Sequence, residues 1–225
     1  MWPDADSRVA TWRAVRPEPS VSKTRISIES ILNGMGRPSL ISRPAILEAG
    51  MAIADTGGLD AVTMQAVAER LGVTPMALYR HVGTKADLLD GLVELLLTEF
   101  PLPPPGLAWQ DRLGSLARAV RATAHRHPAV FPLLLKRPAT TPGARQVRDE
   151  INRGLEGSGV GAGRVAQVER LVSTAILGFV ASEVSGRFAN HSARQLDDDF
   201  ALLERMLLGF IEAATQGGRD PTPRP

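Results

Sequence analysis

Three threonines constrain this chain more than any other feature. Thr63, Thr74 and Thr84 each stand just ahead of a helix-compatible stretch, where a hydroxyl satisfies free amides at a helix start. Pro75 follows Thr74, and a proline in the first turn needs no amide donor. Asp87 lies three residues beyond Thr84, placed to answer first-turn amides and the helix dipole. The helices between these starts, Thr63 to Arg70 and Pro75 to about His81, are about two turns long, too short to persist alone. They must pack on each other. Val67 and Leu71 point inward, Ala68 is small where two helices cross, Gly72 makes the turn, and Val73 and Leu78 supply apolar packing.

Helical periodicity surrounds this unit. Ile46, Leu47, Gly50, Ile53 and Ala54 share one face of a helix that begins near Ser42–Arg43 and ends at Gly57-Gly58. Leu88, Leu89, Leu92, Val93, Leu95 and Leu96 follow Thr84. Pro101–Pro105 is a hard stop and a hinge. Beyond it the pattern predicts helices at Trp109–His125, Pro128–Leu135, Pro142–Glu156, Arg164–Phe188 and Leu196–Ala214. No segment alternates as a strand does, so the class is all-α. The expected organisation is a flexible arm over 1–40, a small helical domain over 41–98, a larger helical domain over 105–216 and a frayed tail over 217–225.

Bulk properties narrow the rest. The 225 residues are 44% apolar, enough for a real core. There is no cysteine, which excludes disulfides and thiolate metal sites. No apolar run reads as a signal peptide or membrane span, and Leu171–Val184 is broken by Ser, Thr, Gly and Glu. A cytoplasmic protein with no membrane partner is expected. Net charge is +2, yet Gly36–Thr98 carries five cations against seven carboxylates, a net of −2. That argues against a non-specific electrostatic binder of nucleic acid, while leaving room for a specific one whose charge is segregated by face.

Two short helices joined by a glycine turn suit a helix-turn-helix. The second presents Thr74, Pro75, Met76, Ala77, Tyr79, Arg80 and His81 on its open side. Met76 and Ala77 suit thymine methyls; Tyr79, His81 and Lys85 suit phosphates, as do the amide ends at Thr63 and Thr84. The same geometry also occurs in all-α proteins that bind no nucleic acid, with Tyr79 as a core aromatic whose hydroxyl is wet.

The stretch from Arg43 to Leu89 resembles the N-terminal domain of the tetracycline-repressor (TetR) family. Leu71-Gly72-Val73, Leu78-Tyr79-Arg80-His81 and Lys85 stand in the family's register without gaps. The resemblance covers about sixty residues closely and the remainder loosely, through Trp109 and Arg137-Pro138. It implies that Thr63, Gln65, Thr74, Met76, Ala77, Tyr79, His81 and Lys85 occupy DNA-touching positions. It also implies a homodimer bound to a near-palindromic double-stranded operator, and a repressor released by a small-molecule effector.

Other chemistry finds little support. His125 and His127 are two apart and so face different sides of a helix, a poor metal pair. Asp197-Asp198-Asp199 reads as a solvated acidic helix start. Ser173, Ser182 and Ser185 lack evident His–acid partners, and Gly157–Gly163 lacks the Lys-Ser/Thr of a phosphate loop. No catalytic residue, metal or cofactor is expected. His125, His127, Phe131, Leu134, Phe179, Glu183 and Met206 are candidates for an effector pocket. Leu171, Ala175, Phe179, Phe200, Leu203 and Leu207 are candidates for a four-helix dimer interface.

In tetracycline-binding members a His in the fourth helix grips the drug, and another before the Arg-Pro pair helps hold Mg²⁺. Here Lys85–Thr98 has no His, and counting back from Arg137-Pro138 the second position falls on Leu133. Hydrocarbon cannot ligate a hard cation, so an apolar effector other than magnesium–tetracycline is expected.

Overall fold

A computed structural model describes residues 41–136 and 141–216. The sequence-predicted arm, the tail and Arg137-Pro138 lie outside the described residues. Within them are eight α-helices and no strand: α1 (Arg43–Gly57), α2 (Met64–Leu71), α3 (Pro75–Val82), α4 (Lys85–Thr98), α5 (Trp109–Arg126), α6 (Pro142–Gly157), α7 (Ala162–Val184) and α8 (Ala193–Gln216), with 3-10 turns at Leu59–Ala61 and Phe131–Leu135.

The first four helices form one packed unit. Ser42 Oγ accepts the Ala45 amide at 3.3 Å, opening α1. Ile46, Leu47 and Ala54 of α1 meet Val67 and Ala68 of α2, Leu78 and Val82 of α3, and Leu88 and Leu92 of α4 in a buried core. Two glycines let α1 and α4 cross closely. A Cβ on Gly91 would stand 2.5 Å from Leu47 Cδ2, and one on Gly50 would stand 3.3 Å from Leu92 Cδ2.

The core continues past the prolines. Val93, Leu96, Leu97 and Phe100 share a cluster with Val120, Val130, Phe131, Ile176, Val180 and Phe200. A smaller core joins Leu113, Leu155, Val165, Val168, Val172 and Ile211. α7 is long and apolar enough to cross a membrane by composition alone, with a mean hydropathy of 1.3. Here it packs against α5, α6 and α8.

Three element boundaries differ from expectation by more than two residues. The segment before Leu135 is a 3-10 turn over Phe131–Leu135 rather than an α-helix from Pro128. Pro132 has no amide to donate, and Leu133 bonds back three residues to the Val130 carbonyl at 2.9 Å. α7 ends at Val184, not Phe188. Gly186 turns left-handed at φ +77°, its amide reaching the Glu183 carbonyl and that of Arg187 the Ser182 carbonyl. α8 begins at Ala193, not Leu196: Gln195 donates its amide to Ser192 Oγ and its side-chain oxygen accepts the Ser192 amide. The three aspartates therefore lie inside α8, past its first turn.

One of them enters an ion network that ties α5 to α7 and α8. Arg121 donates to Glu183 at 2.5 Å and to Asp197 at 2.8 Å, and its guanidinium lies 4.8 Å from the Phe200 ring centroid. Glu183 is 2% exposed and Arg121 17%. The carboxylate partners, Glu183 foremost, hold the Arg121 guanidinium above its usual range.

Candidate nucleic-acid interface

The α2–turn–α3 unit is built by backbone as much as by side chains. Gly72 sits at φ +67°, conformationally cheap only for glycine, and lets its amide reach the carbonyls of Ala68 and Glu69. Val73 bonds to the Ala68 carbonyl at 3.0 Å and fixes the angle to α3. Leu78 and Val82 are the buried face of α3. Its other face is left open.

The three threonines differ in role. Thr63 Oγ1 accepts the Ala66 amide at 3.0 Å. Thr84 and Asp87 form the reciprocal capping box. The Thr84 hydroxyl, then its amide, holds the Asp87 carboxyl below the usual carboxylate range. Thr74 makes no side-chain capping bond, contrary to expectation. Pro75 already removes one amide, and the Ala77 amide bonds to the Thr74 backbone carbonyl at 3.0 Å.

Of the candidate contact residues, Thr63, Gln65, Thr74, Met76, Tyr79, Arg80, His81 and Lys85 are exposed, and Pro75 and Ala77 are half-buried. Met76 is 68% exposed and Tyr79 48%. Tyr79 is thus no core aromatic. Two large side chains, Met76 and Tyr79, project from the open side of a helix whose opposite face is packed. Gln65 is held along α2 by a 2.7 Å bond to Glu69.

A cavity of about 320 Å³ lies between the end of α4 and the helices that follow it. Its walls include Val93, Leu97 and Phe100 on α4 and the end that follows it, Val147 and Ile151 on α6, and Ile176 on α7. Of the seven pocket candidates only Leu134 lines it. Phe131 is fully buried in the core, and Phe179 stands between Phe188 and Phe200, with centroids at 5.5 and 5.8 Å. Glu183 is engaged by Arg121 and, at 3.2 Å, by His125. His127 bonds Asp55 and Glu99, and Met206 is 63% exposed. Sequence reasoning missed the α6 wall because that helix reads as strongly polar. The available signal was Ala144, Val147 and Ile151, all on one helical face.

Of the interface candidates, Phe200 packs in the protomer's own core. Ala175, Phe179, Leu203 and Leu207 are half-buried and Leu171 is exposed. The apolar groups left open on α7 and α8 are Leu171, Leu202, Met206 and Phe210, the last three spaced four apart.

The comparisons with known proteins agree with this geometry. A family model for bacterial regulatory proteins of the tetR family matches residues 46–92, and one for the tetracyclin repressor-like C-terminal domain matches 113–218. A tetracycline repressor of class A, from Escherichia coli, is 30% identical over 78% of this chain and 82% of its own length. An HTH-type transcriptional regulator of Saccharopolyspora erythraea is 28% identical over 64% of this chain, which spans 61% of that protein. Among solved structures, BioQ with its natural double-stranded DNA operator superposes with a TM-score of 0.66 at 26% identity, covering 77% of this chain and 99% of that one. The Streptomyces coelicolor TetR family protein ActR, in complex with actinorhodin, gives a TM-score of 0.68 at 21% identity, covering 77% and 96%. The chain belongs to the TetR family, as a helix-turn-helix regulator of transcription that binds DNA.

Proposed function

We propose that this regulator is a cytoplasmic homodimeric repressor, released from a near-palindromic operator by a small apolar effector. Residues 41–98 would read DNA, while 105–216 would hold the effector and the partner subunit. The observation that carries the reading is the double duty of α4. It packs on α1 inside the reading unit, and its Val93 and Leu97 line the cavity. An occupant that displaces those side chains displaces the support of α3. Release is then a population shift toward dimers whose two α3 helices no longer match the operator spacing. The cavity lies within the volume range of small-molecule sites and its wall is mainly hydrocarbon. ActR supports the effector role, being a relative in fold that holds a small molecule.

Contact variants test the DNA assignment. Tyr79→Ala and Lys85→Ala should each weaken binding about equally across duplex sequences, by about 1–3 kcal/mol for Tyr79 and less for Lys85, and Lys85→Ala should lower the salt slope by about one. Met76→Ala and Gln65→Ala should instead change which sequence is preferred. Gel shifts at stated salt with a duplex selected by the protein separate these outcomes. Unchanged affinity and preference in all four variants would defeat the assignment.

Tetracycline should not be the effector, although a tetracycline repressor is a relative. Leu133, at the expected metal position, is buried in the core. Micromolar tetracycline with Mg²⁺ should leave the melting temperature unchanged. A metal-dependent rise of several degrees would contradict the pocket assignment.

A further inference from the structure

His127 closes α5 and stands between two carboxylates. Its Nδ1 lies 3.1 and 3.0 Å from the two oxygens of Asp55, in the last turn of α1. Its Nε2 lies 2.9 Å from Glu99 Oε2, at the end of α4. The ring is 13% exposed, and each carboxylate 28%. Arg126 approaches Glu99 at 3.5 Å from the same end of α5. The 3-10 segment beside the ring, Phe131–Leu135, carries no charge, and no other ion pair reaches the ring among the described residues. The two carboxylates sit on opposite ring edges, so they do not converge on a single metal ion.

A neutral imidazole has one N–H. With carboxylate oxygens at both nitrogens, only the doubly protonated ring donates in both directions. Loss of one proton sets a lone pair against a carboxylate and removes one of the two links. The backbone is fixed as well. The His127 carbonyl accepts the amides of Val130 and Phe131 at 3.2 and 3.0 Å, and the turn they open carries Leu134 and Leu135 into the cavity wall. The ring therefore joins the cavity wall to α1, on which α2 and α3 are packed.

We infer that His127 is a positioning residue for DNA binding, its imidazolium pinning the reading unit to the C-terminal half through Asp55 and Glu99. The inference rests on the DNA-binding reading above. With the ring charged, α3 is held in one orientation before it meets DNA, and less freedom is lost on binding. With the ring neutral, one pin opens and affinity falls. DNA affinity thus falls when the ring gives up its second proton.

His81 is exposed on α3 among the candidate contact residues and is itself an ionisable group, so the test uses a His81→Gln background. The probe is a fluorescent duplex selected by this protein from a random library, at constant ionic strength. From about pH 6 to about pH 8.5 the dissociation constant should rise about fivefold with His127 present, and stay nearly level in His81→Gln/His127→Gln. Equal pH slopes in the two proteins would overturn the inference while leaving DNA binding intact. Absence of any selected duplex would count instead against the reading beneath it. A second measurement needs no DNA: at pH 6, ¹⁵N spectra of the His127 ring should show both nitrogens protonated, and a singly protonated ring would also overturn the inference.

Discussion

Arg121→Met should lower the unfolding free energy by about 3 kcal/mol, because it leaves the Glu183 carboxylate buried without its main counter-charge. The cost arises from the orphaned charge and not from the pair itself, whose attraction is largely offset by desolvation. Arg121→Met/Glu183→Leu should therefore recover most of the loss, an apolar pair of similar bulk filling the space among α5, α7 and α8. His125, 3.2 Å from Glu183 and half-exposed, is the remaining nitrogen partner of that carboxylate. Urea unfolding of the two variants measures both effects. A single variant within about 0.5 kcal/mol of the parent would show that the network is incidental.

Met206→Glu should abolish the dimer. Met206 is 63% exposed in the protomer, so the charge is solvated in a folded single chain and costly only in an apolar interface. Leu171, Leu202 and Phe210 complete the open apolar set on the two helices. Light scattering should show a folded monomer at micromolar concentration. Operator affinity should fall about a hundredfold or more, since two linked half-site contacts become one. Phe200→Glu would instead be a folding defect, because that ring is 3% exposed within its own protomer. A Met206→Glu protein that stays dimeric would move the interface elsewhere.

These variants mark where the sequence was readable. The reading unit was legible because its signals are local. Threonine caps, Pro75 at a helix start and Gly72 at a tight turn act within three or four residues, and α1 to α4 stand close to where that chemistry puts them. The open face of α3 followed from the same periodicity, since Leu78 and Val82 leave only one way for Met76 and Tyr79 to point. Positions that depend on distant partners were not legible. Phe179 and Phe200 look alike as candidates for interface or core, and only the packing of α7 against α8 separates them. His127 stood only as a candidate for the effector pocket, and its partners lie 72 and 28 residues away. The cavity wall on α6 was masked by charge on the helix's other faces, and Ser192–Gln195 is a cap whose signal was overlooked.

The most direct test of the account is selection of DNA by the purified full chain from a random duplex library, with a variant carrying Met76→Ala and Tyr79→Ala run in parallel. The parent should enrich a two-fold symmetric sequence with half-sites about one helical turn apart, roughly 34–36 Å, and the variant should lose that enrichment. A parent that enriches nothing over the starting library, or a variant that enriches the same sequence equally well, would contradict the assignment of α3 as the DNA-reading helix.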